Sequence, residues 1–219
     1  MTVKVGFILS GAGVFDGAEL HESVLCLLAL DRGDADVVFI APDKDQFHVV
    51  NHQTGTPEEG ARSVLAEAAR LARGPVRPMA EVSADELDAV LMPGGFGAAK
   101  NLCTWAFDGA AGEVDAEVTR LLSEVHEQGK WIAACCIAPA ILAKLFGSKG
   151  VKVTLGTGED DAAEIAKTGA HHEACSVDNL CIDETHRFIT TPAYMEATRI
   201  RDLEPGISEM VSQLLSRAT

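Results

Sequence analysis

A chain of 219 residues and 23.1 kDa is long enough for one large domain with a well-buried core. Hydrophobic residues make up 47% of it, which excludes a disordered chain, and a net charge of -15 from 33 acidic and 18 basic residues argues against nucleic acid or an anionic membrane surface as partner. The first apolar run is too short for a signal peptide and none is long enough for a membrane span, so the six cysteines are expected as free thiols in a reducing cytoplasm.

Residues 3–9 form a nearly continuous apolar run ending in Ser10-Gly11-Ala12-Gly13, as expected of a parallel strand buried on both faces. A helix fits residues 19–31, with Leu20, Val24, Leu27 and Leu28 expected on its inner face and Gly33 and Asp34 ending it. Glu19 and Glu22 fall in its first turn, where the helix dipole favours acids whatever their function. A second buried strand, 36–41, is closed by Pro42.

The stretch 43–80 reads as an insertion beside the sheet edge. It carries His48, Asn51, His52 and Gly55 without strong periodicity. Thr56-Pro57 then looks like a helix start, with the helix running to about Arg73. A third strand, 87–92, leads straight into Pro93-Gly94-Gly95-Phe96-Gly97, whose paired glycines let backbone N–H groups approach a ligand closely. The loop lacks the spacing of a dinucleotide or P-loop fingerprint. Residues 100–112 read as loop, and 114–128 as an amphipathic helix with Val118, Leu121, Leu122 and Val125 inward.

The strongest local signal is Trp131-Ile132-Ala133-Ala134-Cys135-Cys136-Ile137-Ala138-Pro139-Ala140. An apolar strand stops at a thiol and a helix starts at Pro139, leaving room only for a sharp strand-to-helix turn of the nucleophile-elbow kind. Such a turn lifts one side chain above the strand end, where the free N–H groups of the next helix stabilise a thiolate. Cys136 is therefore the candidate nucleophile. Cys135, one residue earlier, is expected to point the other way as a packed core thiol. The bland alternative makes both cysteines small buried hydrophobes.

After Phe146 the pattern weakens to a strand at 151–155 and a helix near 161–167. His171, His172, Cys175, Cys181 and His186 follow, but their spacing matches no paired-cysteine or helical histidine zinc site, so no metal is expected. One histidine serving the thiol as base or hydrogen-bond partner demands less. Residues 181–183 and 188–191 read as a hairpin, Pro192 leaves the sheet, and a last helix fits 207–215. With no repeat or linker, residues 1–219 read as a single α/β domain.

Several long stretches resemble one family. They are Ile8-Leu9-Ser10-Gly11, Asp16-Gly17-Ala18-Glu19-Leu20-His21-Glu22, Ala41-Pro42-Asp43-Lys44, Asn51-His52-Gln53-Thr54-Gly55, Pro93 through Leu102, Cys136-Ile137-Ala138-Pro139-Ala140, and Thr190-Thr191-Pro192-Ala193-Tyr194-Met195. Together they resemble the PfpI-type superfamily of class I glutamine amidotransferase-like proteins, and within it the ElbB family, also called enhancing lycopene biosynthesis or sigma cross-reacting proteins. The resemblance implies a flavodoxin-like sandwich, a mainly parallel central sheet with helices on both faces and a cysteine nucleophile elbow.

It also implies a glutathione-independent glyoxalase, converting glyoxal or a similar 2-oxoaldehyde to the hydroxy acid without cofactor or metal. By position, Cys136 matches the family thiol, Glu22 the carboxylate leaning over it, and His172 the histidine partner, with the adjacent His171 an open alternative. Backbone N–H groups of Gly95 and Ile137 match the oxyanion hole. A bare carboxylate opposes a thiolate, so Glu22 helps only when protonated and donating or when acting as the base. The superfamily habit of pairing implies a homodimer.

Two departures bear on function. Ile137 stands where many superfamily members place a histidine after the nucleophile, which speaks against protease roles. His186 is followed by Arg187-Phe188 where glutaminases carry His-x-Glu. A binding or redox- and aldehyde-sensing protein linked to isoprenoid metabolism, and a thiol deglycase or hydrolase, remain the alternatives.

Overall fold

The protein is described by a computed structural model covering residues 2–218. In chain order the elements are β1 (Lys4–Ile8), α1 (Leu20–Arg32), β2 (Asp36–Ala41), β3 (Val50–Asn51), β4 (Thr56–Pro57), α2 (Val64–Ala72), β5 (Arg77–Pro78), β6 (Ala89–Met92), α3 (Phe96–Lys100) and α4 (Trp105–Asp108). There follow α5 (Ala116–Glu127), β7 (Trp131–Cys135), α6 (Pro139–Phe146), β8 (Lys152–Val153), α7 (Glu159–Ala166), β9 (His171–His172), β10 (Cys181–Asp183), β11 (Phe188–Thr191) and α8 (Ile200–Arg217).

Among the described residues seven strands share one sheet, in the order β10-β11-β7-β6-β1-β2-β5. Every pairing in it is parallel except that of β10 with β11. The chain steps from β1 outward to β2 and β5, then returns to β1's other side as β6 and β7. Strand order therefore reverses between β1 and β6, and the crevice at the carboxyl ends of these strands is where open α/β sheets hold ligands.

Both faces of the sheet are covered, which explains the near-continuous apolar strands. Ile8, Val90, Met92, Ile132 and Ala134 pack with Val118, Leu121, Leu122 and Val125 of α5 and with Ile141 and Leu142 of α6. Val5, Phe7, Leu91, Ala133 and Cys135 face the other way, against Cys26 and Leu30 of α1 and Leu203, Ile207, Met210 and Leu214 of α8. The expected sandwich, with helices on both faces, is what forms.

Several local expectations fail for identifiable reasons. In α1 the buried side chains are Glu22, Ser23, Cys26 and Leu30; of the four expected inward, Leu27 is half-buried and packs against that core, while Leu20, Val24 and Leu28 are 45%, 55% and 41% exposed. Small and polar side chains on the inner face let α1 lie close to the sheet and α8, and the branched stripe is left facing outward. The helix expected from Thr56 starts instead at Val64, capped by the Ser63 hydroxyl, which accepts the Ala66 N–H. Thr56-Pro57 pairs with Val50-Asn51 in a hairpin whose Gly55 has φ +72°.

The stretch 43–80 is also more than an insertion beside the edge, because its Arg77-Pro78 supplies the edge strand β5. β8 lies outside the main sheet, pairing only with β9. Residues 100–112 hold short helical turns. The last helix starts at Ile200 and passes through Pro205. Next to it, Gly206 leaves no room for a side chain, since a Cβ there would lie 2.3 Å from the Val177 carbonyl oxygen.

The corrected face of α1 has a measurable consequence. Leu30→Ala is expected to cost about 2–5 kcal/mol in urea unfolding and Leu28→Ala less than about 1 kcal/mol, at protein concentrations low enough that association does not contribute. Equal costs would return the Leu20, Val24 and Leu28 stripe to the core.

Candidate active site

Cys136 leaves the end of β7 with φ +58°, a left-handed conformation that costs a non-glycine residue on the order of 1–3 kcal/mol. The turn is held by its neighbours: the Cys136 N–H donates to the Thr191 carbonyl at 3.0 Å, and the Ala138 N–H to the Cys135 carbonyl at 3.1 Å. Because α6 begins only at Pro139, the Ile137 N–H is free to face the Cys136 sulfur, and the Gly95 N–H does so from the loop after β6. These are the two donors expected of the oxyanion hole.

Gly94 makes the approach of that loop possible. A Cβ on it would fall 2.3 Å from the Cys136 Cβ and 2.8 Å from Glu22 Oε2. Gly95 adopts φ +92°, and a Cβ there would meet the Gly17 carbonyl oxygen at 2.4 Å.

Glu22 is fully buried one turn into α1. Its Oε2 accepts the Gly94 N–H at 3.0 Å, its Oε1 accepts the Tyr194 N–H at 3.1 Å, and it hydrogen bonds the Cys136 thiol. Burial, and then the charge of Glu19, hold its carboxyl up at about 7, against the pull of these donors. Burial and the Glu22 charge push the Cys136 thiol up, while the Gly95 and Ile137 N–H groups act in the opposite sense. A carboxyl near neutrality thus lies against a thiol supplied with donors. The pair has the means to exchange a proton with a bound carbonyl compound.

Cys135 ends β7 on the side of Trp131 and Ala133, fully buried, with its thiol hydrogen bonded to that of Cys26. Strict alternation stops there, because Cys136 has left the strand. His172 is a correction. Its Nε2 accepts the Leu155 N–H at 3.0 Å, and the charge beside it is that of Asp161. It neither hydrogen bonds the thiol nor lines the cavity above it, since β9 is drawn away to pair with β8. His171, its neighbour, is exposed and likewise absent from that cavity.

The cavity over Cys136 has a volume of ≈ 240 Å³, walled by Val14, Phe96, Ile137, Tyr194 and Met195, with Glu19 on one side. Tyr194 is positioned by His21, whose Nδ1 lies 2.7 Å from the tyrosine hydroxyl. Sequence reasoning had no handle on this pair, because 173 residues separate its members in the chain. It also missed Asn101, whose amide donates to the carbonyls of Ser10 and Asp16 and accepts the Phe47 N–H, tying the 43–63 excursion to the glycine turn after β1. A more open cleft of ≈ 350 Å³ beside that turn is bordered by His52, Arg62 and Arg70 and holds no nucleophile. Among the described residues no group of three or more His, Cys, Asp or Glu is placed to hold a metal ion, and no helix is long and apolar enough to cross a membrane.

A parallel α/β sandwich with a strained cysteine elbow beside a buried glutamate defines a class I glutamine amidotransferase-like protein. Residues 12–191 match the DJ-1/PfpI family, and the chain belongs to that family. It is 43% identical over 222 residues to human mitochondrial glutamine amidotransferase-like class 1 domain-containing protein 3, and 44% identical to the rat mitochondrial ES1 protein homolog. The matches span 97% of this chain and 82% and 83% of those proteins. The crystal structure of an isoprenoid biosynthesis protein with an amidotransferase-like domain from Ehrlichia chaffeensis superposes with a TM-score of 0.91 at 32% identity, over 100% of both chains. DJ-1beta of Drosophila melanogaster shares the fold at a TM-score of 0.63 and 18% identity, over 98% of this chain and 91% of that one.

The buried acid predicts a pH dependence. A carboxyl raised from 4.5 to about 7 favours its neutral form in the fold, so the stability it contributes is complete below pH 4.5 and is lost as pH rises through 7. Urea unfolding of wild type is expected to lose about 3 kcal/mol across that window relative to Glu22→Gln, which has no proton to give up. Parallel stability curves for the two proteins would show that Glu22 is not a raised acid.

Proposed function

We propose that the chain is a glyoxalase, a thiol enzyme that converts a small 2-oxoaldehyde to the 2-hydroxy acid without glutathione. The observation that carries this reading is the convergence of Cys136, the carboxyl of Glu22 and the N–H groups of Gly95 and Ile137 on one sulfur. Cys136 adds to the aldehyde carbon as its proton passes to ionised Glu22; the alkoxide that forms is held by the two backbone donors and takes the proton back from Glu22, giving a neutral hemithioacetal and a carboxylate free to act as base. The Glu22 carboxylate next takes the proton from that carbon and delivers it to the neighbouring carbon through an enediol, while the hydroxyl proton passes from the first oxygen to the second, leaving a 2-hydroxy thioester. Water cleaves the thioester to the hydroxy acid and restores the thiol. No metal or organic cofactor enters these steps. With His172 bound elsewhere, Glu22 is the group left to carry the proton, and a carboxyl near 7 suits that work at neutral pH.

The likeness to the Ehrlichia protein supports placement beside the ElbB proteins, and the mitochondrial names of the curated relatives add the mitochondrion to the cytoplasm as a compartment to examine. A second reading, a binding or aldehyde-sensing protein on the same thiol, is favoured by two exposed rings, Phe47 of the 43–80 region and Phe107 of α4, whose centroids lie 4.3 Å apart at a 41° tilt. A deglycase or hydrolase on the same site differs only in substrate.

Hydroxy-acid formation from glyoxal and methylglyoxal separates these readings. It is expected to survive Cys135→Ala and His172→Ala and to fall by roughly a thousandfold or more with Cys136→Ala, the scale of losing a covalent nucleophile. Activity that survives Cys136→Ala overturns the mechanism, and the absence of product from wild type moves the assignment to the sensing role.

The homodimer is a proposal as well. A chain of charge -15 repels its own copy except across an apolar face, and the stripe of Leu20, Val24 and Leu28 on α1 is such a face, usable by both copies about a two-fold axis. Sedimentation is expected to show a wild-type dimer and a Val24→Asp monomer; a monomeric wild type would dismiss the pairing.

A further inference from the structure

Charge is distributed one-sidedly around the cavity over Cys136. Its apolar walls leave Glu19 as the charged side chain lining it, with Glu22 buried directly behind, and no lysine, arginine or histidine lines it. Lys100, the cation across the Phe96 ring at 5.0 Å from its centroid, is tied to the Phe15 carbonyl instead. Glu19 is itself only 7% exposed. Its Oε2 accepts the Glu22 N–H at 2.7 Å and so caps α1, while no described residue hydrogen bonds its Oε1.

A low-dielectric pocket magnifies whatever charge it contains, and the Glu19 carboxylate with no cation beside it gives the pocket a negative potential. Sites that bind carboxylates or phosphates commonly set an arginine or lysine against the anion. This cavity places an acid there.

We propose that the site takes neutral carbonyl compounds and excludes those bearing a carboxylate or phosphate, with Glu19 as the residue that excludes them. The aldehyde part of this inference rests on the glyoxalase reading; the charge filter does not. Substrates would be uncharged 2-oxoaldehydes, and the hydroxy acid product, an anion at neutral pH, is expelled by the same carboxylate that admits its neutral precursor. Glu19 thereby serves release as well as selection.

Two alkylating reagents of nearly equal size test the filter without any turnover. Iodoacetamide is neutral and iodoacetate is an anion; in each case the Cys136 sulfur displaces iodide from the methylene carbon, and modification at Cys136 is followed by peptide mass spectrometry. Wild type is expected to prefer iodoacetamide roughly tenfold more strongly than a small free thiol does under the same conditions. In Glu19→Gln, whose amide oxygen still caps α1, that preference should fall toward the free-thiol ratio. The ratio is insensitive to any change in thiolate population, since both reagents meet the same sulfur.

A free-thiol ratio in wild type, or an unchanged ratio in Glu19→Gln, overturns the proposal. In the turnover assay glyoxylate, with as many heavy atoms as methylglyoxal, is expected not to compete with methylglyoxal in wild type and to compete in Glu19→Gln. Absence of methylglyoxal turnover alongside a shifted alkylation ratio would sink the glyoxalase reading and leave the charge filter standing.

Discussion

One buried carboxyl group holds the working end of this fold together. Glu22 comes from α1, yet its oxygens accept N–H groups from the loop after β6 and from the segment after β11, and it bonds the Cys136 thiol just beyond β7. Three crossings of the sheet are thus joined at one side chain. A fully buried carboxyl left unpaired would be costly, so these donors are a condition of its presence. The same burial keeps its proton within reach of neutral pH. The contact that organises the strand ends and the feature that suits Glu22 to acid–base chemistry therefore have one cause.

The sulfur depends on close backbone approach in the same way. Cys136 is in a left-handed turn that only surrounding structure can impose, and that structure includes Gly94, where any side chain would strike the cysteine itself. Parallel strands on either side fix the level of the turn: β6 brings the glycine loop to the height at which β7 ends, and β11 supplies the carbonyl that holds the Cys136 N–H. Strain at the cysteine and the absence of a side chain at the glycine are two aspects of one packing arrangement.

What could be read from the sequence divides along physical lines. The central strands β1, β2, β6 and β7, the β10–β11 hairpin, α5 with its four inward residues, and the cysteine elbow were legible because each depends on local pattern: buried runs, helical period, a thiol against a helix start. α1 was misread because period locates a stripe without saying which way it faces, and here the core took the face with Glu22 and Cys26. Pairing with Val50-Asn51 claimed Thr56-Pro57 before a helix could start there. The histidine misassignment has the same origin. His172 was assigned by position in a resemblance, while its partner was settled by a two-strand pairing, β8 with β9, that no local pattern announces. Tyr194 and His21, far apart in the chain, meet only after β11 is laid beside β7.

Losing the histidine changes what the remaining carboxylates must do. A histidine beside the thiol would supply a cation able to stabilise a resting thiolate; with Glu22 in that place the sulfur rests as a thiol, and a thiolate forms only as its proton moves to an ionised Glu22. Glu19 adds a further negative charge a single turn away, which raises Glu22 and keeps that proton available. The oxyanion that develops on a bound aldehyde then has to be met by neutral donors, and the N–H groups of Gly95 and Ile137 are of that kind: they stabilise charge when it appears without drawing anions into the cavity beforehand. An acid-rich pocket and backbone oxyanion donors are consequently matched to each other, since a cationic side chain in either position would undo both the raised carboxyl and the preference for neutral ligands.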